Sequence, residues 1–507
     1  LATAESLSKI IRNFTIDSFL ETNDKRYLVG PKGAGKTLLL LRKAIDQRNK
    51  GDGLCIPSDP ANPVDRLTAT QHVGAKFNHK IKDRNENHLA WASVWKHSIY
   101  RSILQHVRNQ LLSDTKSSAD SDRSAWLTEL DAAAFKRERA LLDRSLGETT
   151  RRASAPFHYY TDLGAKLDAG GHDMIAAVRQ DNAEYEELLR QVRTPIYVFL
   201  DNLDDYYERE PLLWFSSMYG QFRAVREIGL FQRNIHVFTS IRLDVYRQFK
   251  DEMRLQYYDY VAMLEYDKDE LLKIFASRIK DLDDDLLRVP SVKQKDPWRA
   301  FFGDSAELFN ETVGVPEKIA DYIYRHTLGR PRDIIHLGTV LLPKVIPKDA
   351  TDNDVRQAIL DAEEDIAEQY LAEITPQLDE RFSLPDFIQN FLPSNVMTSA
   401  DVVEVEGRYL ESQSDKLFSD AMTFAHCAFA TLYHLGLLGY ARKQDGMKAG
   451  IQFFEPPGQG LPAPEKRRLP ESDLYFLHPI LNFLIPHGSR NKEILIGQGL
   501  PATGVRP

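Results

Sequence analysis

The sequence is poor in cysteine, in positive charge and in long apolar runs, and each shortage excludes a class of protein. Its 507 residues include two cysteines, Cys55 and Cys427, too few for a disulfide framework and not spaced as metal ligands. The net charge of −9 gives no overall basic field, so contact with nucleic acid would need a local basic patch. Because no run of about 18 apolar residues and no signal peptide is present, we expect a soluble, cytoplasmic protein without membrane contacts.

One stretch carries a specific chemical signal. Residues 30–37, Gly-Pro-Lys-Gly-Ala-Gly-Lys-Thr, match the phosphate-binding P-loop pattern G-x-x-x-x-G-K-[ST]. An apolar run at 27–29 predicts a strand before it and a leucine-rich run predicts a helix after it, which together point backbone N–H groups at an anion. The lysine can reach the β- and γ-phosphates of ATP, and the threonine hydroxyl can bind a magnesium ion, Mg²⁺. The predicted nucleotide-binding residues are Gly30, Pro31, Lys32, Gly33, Ala34, Gly35, Lys36, Thr37 and Leu38.

A second motif supplies a carboxylate. The apolar run at 196–200 predicts a strand buried on both faces, and Asp201 follows it directly. Ligands of open parallel sheets bind at the carboxyl edge, where Asp201 and Thr37 would hold Mg²⁺ together. Asp204 and Asp205 come next, and either is a candidate to position the attacking water. The alternative for these two residues is a solvated acidic turn.

A third strand, predicted at 235–242, ends in polar residues. Thr239, Ser240 and Arg242 are candidates to sense the γ-phosphate, and Arg247 is a weaker candidate for a sensor or for a finger that reaches a neighbouring subunit. For each arginine, an ordinary surface salt bridge is the alternative.

Two further arginines stand where one helix ends and another begins. Gly329 stops the first helix, and Pro331 near the start of the second fixes its φ angle. Arg330 and Arg332 at this helix start would lie over bound phosphates. The alternative is a basic turn between two helices.

The remaining sequence is mostly helical. A long insertion at about 60–190 contains helical patterns and a polar linker at 113–124, and the sequence assigns it no function. An amphipathic helix is predicted at 351–374. Helices followed by short strands at 400–485 resemble a winged helix, which either binds DNA through the basic residues 466–468 or packs against the nucleotide-binding core and reports its state. We favour packing, because the presumed recognition helix has few basic residues.

These motifs resemble those of STAND-type NTPases and of the origin-recognition branch of AAA+ ATPases, which are P-loop NTPases of the additional-strand class. Residues 200–205 are similar to their Walker B motif, residues 238–242 to their sensor-1 strand, and residues 329–331 to the Gly-x-Pro motif of their lid. The likeness covers residues 25–480 approximately.

The resemblance implies an α/β fold in three parts: a P-loop NTPase core with a parallel sheet flanked by helices at 1–262, a helical lid at 263–348, and a helical linker with a winged-helix-like domain at 349–507. Three positions depart from the family pattern. Asn202 stands where glycine is usual, Asp205 stands where the catalytic glutamate is usual, and Ile241 is inserted into the sensor strand. The second and third departures imply slow hydrolysis.

The function implied by the resemblance is that of an ATP-dependent switch. Such a protein binds ATP with Mg²⁺, hydrolyses it slowly, forms oligomers and controls a separate effector protein, often in bacterial antiphage defence. Its catalytic residues here would be Lys36, Asp201, Asp204, Asp205 and Arg242. Two alternatives stay open: a DNA-handling ATPase of the initiator or loader kind, and a small-molecule P-loop kinase, against which the large lid and C-terminal domain argue.

Overall fold

The computed structural model describes the P-loop region, two helices of the insertion and most of the chain after residue 194. The described residues are 13–56, 84–114, 171–190, 192, 194–201, 211–249, 251–303, 307–310, 314–346, 351–378, 382–412, 427–442, 450–462, 466–485 and 495–502. Asn202, Asp204, Asp205 and all but the first two residues of the predicted linker at 113–124 lie outside them.

Strands and helices alternate in the first half of the described chain, and helices dominate the second half. The strands are β1 Tyr27–Gly30, β2 Leu54–Ile56, β3 Ile196–Leu200, β4 Ile235–Arg242, β5 Val261–Met263, β6 Glu307–Asn310, β7 Val315–Lys318, β8 Val396–Thr398, β9 Leu438–Arg442, β10 Ile451–Phe454 and β11 Leu474–Leu477. The α-helices are α1 Phe14–Glu21, α2 Lys36–Lys50, α3 Arg84–Asp114, α4 Gly171–Leu189, α5 Pro211–Phe231, α6 Leu243–Gln248, α7 Asp251–Tyr257, α8 Lys268–Asp281, α9 Pro297–Phe302, α10 Ile319–Arg325, α11 Pro331–Val345, α12 Asp352–Ile374, α13 Leu384–Phe391, α14 Ser399–Ser412 and α15 Ala428–His434.

The strands β1 to β5 form one parallel sheet in the order β2-β3-β4-β1-β5. Strand β4 therefore lies between β1, which leads into the P-loop, and β3, which is followed directly by Asp201. Since the five strands run in one direction, their carboxyl ends share one edge of the sheet, where ligands of such sheets bind. The predicted α/β class is confirmed.

Both faces of this sheet are covered by helices. In β3, Ile196, Val198 and Leu200 face a core that also contains residues of α3 and α5. Tyr197 and Phe199 face the opposite core, which contains residues of α1 and α2. All five residues of β3 are buried, so the prediction of a strand buried on both faces is confirmed.

The described part of the insertion packs against the core domain. A Cβ atom at Gly220 in α5 would lie 2.4 Å from the Cβ of Trp91 in α3, so these helices approach closely at this glycine. The Nδ2 of Asn182 in α4 donates a hydrogen bond to the carbonyl of Ser93 in α3 at 2.9 Å. Helices α3 and α4 thus extend the first face of the sheet.

The second half of the chain contains strands that the sequence did not predict. Strands β6 and β7 form an antiparallel hairpin within the predicted lid, and β8 joins β9, β10 and β11 in a four-stranded antiparallel sheet. One buried hydrophobic cluster runs from Leu271 in α8 to Ile485 and includes residues on both sides of the predicted boundary at 348. The boundary and the winged-helix assignment stay predictions. Among the described residues no helix is both long and apolar enough to cross a bilayer.

A buried lysine joins the N-terminal helix to the P-loop helix. Lys43 in α2 is fully buried, and its Nζ donates to the carbonyls of Phe19 and Thr22 at 2.6 Å each. The ammonium group also lies 4.5 Å from the ring centroid of Phe238 in β4. Burial, with a smaller contribution from Lys50, lowers the pKa of Lys43 to about 7.

This pKa predicts a pH-dependent stability. The pKa of lysine in the unfolded chain is about 10.4, so above pH 7 the unfolded chain holds a proton that the folded chain has lost. The free energy of unfolding should therefore rise with pH between about 7 and 8.5, by about 1 kcal/mol per pH unit. At lower pH Lys43 is protonated in both the folded and the unfolded chain, so its contribution to this pH dependence fades. Urea unfolding of wild type and Lys43→Met across this range measures it. Equal slopes in the two proteins would contradict the assignment.

Candidate nucleotide site

The P-loop has the backbone shape that phosphate binding needs. Gly33 and Gly35 have φ angles of +84° and +87°, a left-handed conformation that side chains with a Cβ rarely adopt. The amide of Ala34 donates to the carbonyl of Pro31 at 3.2 Å, which closes the turn. Helix α2 begins directly after Gly35, so its N-terminal amides and dipole face the loop.

The predicted phosphate-binding lysine is held over this loop. The Nζ of Lys36 donates to the carbonyls of Gly30 at 3.0 Å and Pro31 at 2.9 Å. Its side chain is buried, whereas Thr37 is exposed and Lys32 and Leu38 are half-buried. An ammonium positioned by loop carbonyls can exchange those contacts for phosphate oxygens without moving the backbone.

Asp201 lies at the same edge of the sheet, two strands away from the P-loop. Residues Leu28 and Ser240 are paired in the β1–β4 register, and Oγ of Ser240 donates to Oδ1 of Asp201 at 2.6 Å. Two strand spacings separate β1 from β3 by about 10 Å. Thr239 is buried on the other side of β4, where its hydroxyl accepts from Nε2 of Gln221 at 2.6 Å. Of the polar pair at this strand end, Ser240 therefore faces the site.

The residues present are of the kind that hold Mg²⁺ next to a nucleotide. Within the described ranges no group of three or more His, Cys, Asp or Glu side chains is placed to bind a metal alone. A nucleotide-associated Mg²⁺ needs fewer protein ligands, since phosphate oxygens and waters complete its octahedral shell. The exposed hydroxyl of Thr37 and the buried carboxylate of Asp201 fit that requirement in chemical type.

Arg242 is joined to a neighbouring carboxylate. Its Nε donates to Oδ1 of Asp244 at 3.1 Å and its Nη2 to Oδ2 at 2.8 Å, and both side chains are buried. The same Oδ2 accepts from Nε2 of Gln377, just beyond the end of α12, at 3.0 Å. The predicted sensor thus sits at a junction between the core domain and the second half of the chain.

Of the two arginines predicted to lie over bound phosphates, Arg330 is the more enclosed. Its side chain is 2% exposed and donates to the carboxylate of Asp333 at distances of 2.9 to 3.1 Å and to Oε2 of Glu373 at 2.9 Å. Burial lowers the pKa of the guanidinium, but the two carboxylates outweigh it, so the pKa lies above its ordinary value. Arg330 is a permanently charged centre that fixes the start of α11.

Arg332 lies directly on the P-loop. Its backbone amide donates to the carbonyl of Gly33 at 3.2 Å, and a Cβ at Gly33 would lie 3.0 Å from the Cβ of Arg332. Its Nη1 donates to Oε1 of Glu373 at 3.1 Å, while the side chain stays 39% exposed. The structure therefore places Arg332 at the P-loop and gives it the same carboxylate partner as Arg330.

Two further groups cover the loop. The hydroxyl of Tyr266 donates to the carbonyl of Ala34 at 2.9 Å, and burial, with a smaller effect of Glu270, raises its pKa to about 12, so it stays a donor. From the C-terminal region, Gly458 packs so closely that a Cβ there would lie 2.8 Å from the Cβ of Pro31. The P-loop is thus contacted by both later parts of the chain.

Several residues of this site were missed by sequence reasoning. Asp244 and Asp333 stand two and three positions after the arginines that they bind, a spacing that could have been noticed. Glu373 is 41 positions from Arg332, and Gly458 lies far along the chain from the P-loop that it contacts. No local sequence pattern could therefore predict either contact.

Comparison of this chain with protein families, with curated proteins and with solved structures finds no match.

Proposed function

We propose that this chain is an ATP-binding, slowly hydrolysing molecular switch of the STAND or AAA+ type, which forms oligomers and controls a partner effector protein. Antiphage defence in the bacterial cytoplasm is the setting that this proposal favours. The resting form would be closed by the C-terminal region, and nucleotide exchange would open it.

The sheet edge supports the nucleotide part of the proposal. It brings a P-loop with two left-handed glycines, the ammonium of Lys36 and the carboxylate of Asp201 to one side of a parallel sheet. Strand β4 lies between the P-loop strand and the Asp201 strand, as the additional-strand class requires. Lys36 would neutralise phosphate charge, and Thr37 with Asp201 would hold the metal that neutralises more of it.

One observation carries the switch part of the proposal: the loop after β10 lies against the P-loop. Gly458 contacts Pro31, and Gly460 approaches Asp244, where an added Cβ would lie 3.0 Å from the carbonyl oxygen. The amide of Gly458 also donates to the hydroxyl of Tyr370 in α12 at 3.3 Å. A C-terminal region that touches the phosphate-binding loop can respond to what that loop binds.

The structure gives the DNA-handling alternative less support. Arg467 is buried and donates from Nε to the carbonyl of Pro462 at 2.9 Å and from Nη1 to Oγ1 of Thr431 at 3.3 Å. Its guanidinium serves its own domain, so of the basic residues 466–468 only Lys466 and Arg468 are exposed. Two exposed charges provide little of the phosphate neutralisation on which duplex binding depends.

The experiment that tests the switch is a glycine replacement at its contact. Gly458→Ala should open the closed form, because the new Cβ would meet Pro31 and because residue 458 has a φ of +74°. We expect mass and radius of gyration in solution to change between ADP and a slowly hydrolysed ATP analogue in wild type. In Gly458→Ala the protein with ADP should already resemble the ATP form, and ADP release should be about 5- to 10-fold faster.

Gly499→Ala is the matched control. Gly499 has a φ of +78°, so alanine imposes similar backbone strain, but an added Cβ there meets no atom within 4 Å. It should leave the nucleotide response as in wild type. If mass and shape of wild type are the same with both nucleotides, the protein is not a switch of this kind.

A further inference from the structure

A nucleotide switch must distinguish ATP from ADP, and the end of α12 carries a glutamate, Glu373, that binds two arginines next to the P-loop. Resting on the function proposed above, we propose that Glu373 stands in for the γ-phosphate in the closed form. It holds the guanidinium of Arg332 until a γ-phosphate competes for it, and it thereby sets the preference between the two nucleotides. Glu373 is in this sense a positioning residue, since it acts through Arg332.

The two arginines bound by Glu373 differ in how firmly they are held. Arg330 is 2% exposed and keeps three contacts with Asp333, so it stays in place if Glu373 moves. Arg332 is 39% exposed, and Glu373 holds its guanidinium by a bond of 3.1 Å. Only Arg332 has both the exposure and the single carboxylate partner that exchange with a phosphate requires.

The main chain of Arg332 is fixed where a phosphate would bind. Its amide donates to the carbonyl of Gly33, and its side chain crosses the P-loop at this glycine. The guanidinium can therefore leave Glu373 by side-chain rotation alone. Carboxylate and phosphate both accept paired N–H donors from arginine, so a phosphate can replace the carboxylate and use the same donors.

The same end of α12 also contacts the C-terminal region and the carboxylate that binds Arg242. Within one turn before Glu373, the hydroxyl of Tyr370 donates to the carbonyl of Leu435 at 2.6 Å and accepts from the amide of Gly458. Four residues after Glu373, Gln377 donates to Asp244, the partner of Arg242. Loss of the Arg332 contact therefore removes one of the two arginine contacts that hold this end of α12, one turn from the tyrosine to which Gly458 donates.

The test measures affinity for both nucleotides by fluorescence of labelled ATP and ADP analogues. Glu373→Gln keeps the shape of the side chain and removes its charge, and we expect the ratio of ATP to ADP affinity to rise about tenfold, the effect of one lost charge-assisted contact. In an Arg332→Ala background the same change should alter the ratio by less than about twofold. Glu368→Gln, at an exposed position of α12, is the matched control and should leave the ratio unchanged.

A second measurement uses wild type alone and does not depend on a variant that folds. Amide hydrogen exchange at residues 370–378 should be faster with a slowly hydrolysed ATP analogue than with ADP. Equal or slower exchange overturns the inference, as does an unchanged affinity ratio in a folded Glu373→Gln. If wild type binds neither nucleotide, the proposed function fails as well, whereas binding of both with no effect of Glu373 refutes only this inference.

Discussion

Replacement of Lys36 by alanine should weaken ATP binding by about 100-fold or more, the largest effect expected at this site. The ammonium lies over the P-loop and donates to the carbonyls of Gly30 and Pro31, where it can turn to the β- and γ-phosphates. Each charge-assisted hydrogen bond contributes about 1.5 to 3 kcal/mol, so two of them account for a loss of that size. Calorimetric titration with ATP and Mg²⁺ measures it, together with turnover.

Lys32→Ala is the control for the loss of one positive charge in the same loop. Lys32 is half-buried in the loop, which leaves its side chain partly in contact with solvent. We expect a change of less than about fivefold, since the charge of a side chain that is partly in contact with solvent is screened. If Lys36→Ala binds and hydrolyses ATP as wild type does, the assignment of residues 30–37 as the phosphate site is wrong.

Arg330→Met should have the largest effect on stability, a loss of about 3 to 5 kcal/mol in the free energy of unfolding. The methionine keeps the apolar stem but takes the guanidinium away from the buried carboxylate of Asp333 and leaves Glu373 with Arg332 as its cationic partner. The guanidinium also lies 5.2 Å from the ring centroid of Tyr370, and this contact is lost too. Urea unfolding followed by circular dichroism measures the change.

Two comparisons separate this effect from a general cost of mutating α11. Arg332→Met removes an arginine whose side chain is 39% exposed, and we expect a loss of less than about 1 kcal/mol. Asp333→Asn combined with Arg330→Met should recover part of the loss, because one unpaired charge is then gone. A small effect of Arg330→Met alone would mean that this buried cluster does not stabilise the fold.

The parts of the fold that sequence predicted are those set by neighbouring residues. The P-loop is such a case, since the glycines that allow φ angles of +84° and +87° stand beside the lysine that they expose. Strand β3 is another, because five consecutive apolar residues suit a strand covered on both sides.

What sequence did not predict depends on distant partners or on very short strands. Strand β7 contains Pro316, which argues against a strand, and is tolerated because its hairpin is only two strands wide. Strand β8 has three residues and forms by antiparallel pairing with β11, which lies far along the chain. The pairing of Glu373 with both arginines has the same origin, since α12 must first fold back over the start of α11.

The shared hydrophobic cluster that runs from Leu271 to Ile485 limits how this molecule could open in the proposed switch. Because residues of the predicted lid and of the C-terminal region bury one core, the proposed opening would move them as one unit, and cleavage between them would expose apolar surface on both fragments. In the proposed opening the bend would fall between Met263, where β5 ends, and Lys268, where α8 begins. Tyr266, whose hydroxyl donates to the carbonyl of Ala34, lies in that segment, so the proposed closure of the second half of the chain would act directly on the predicted nucleotide-binding loop.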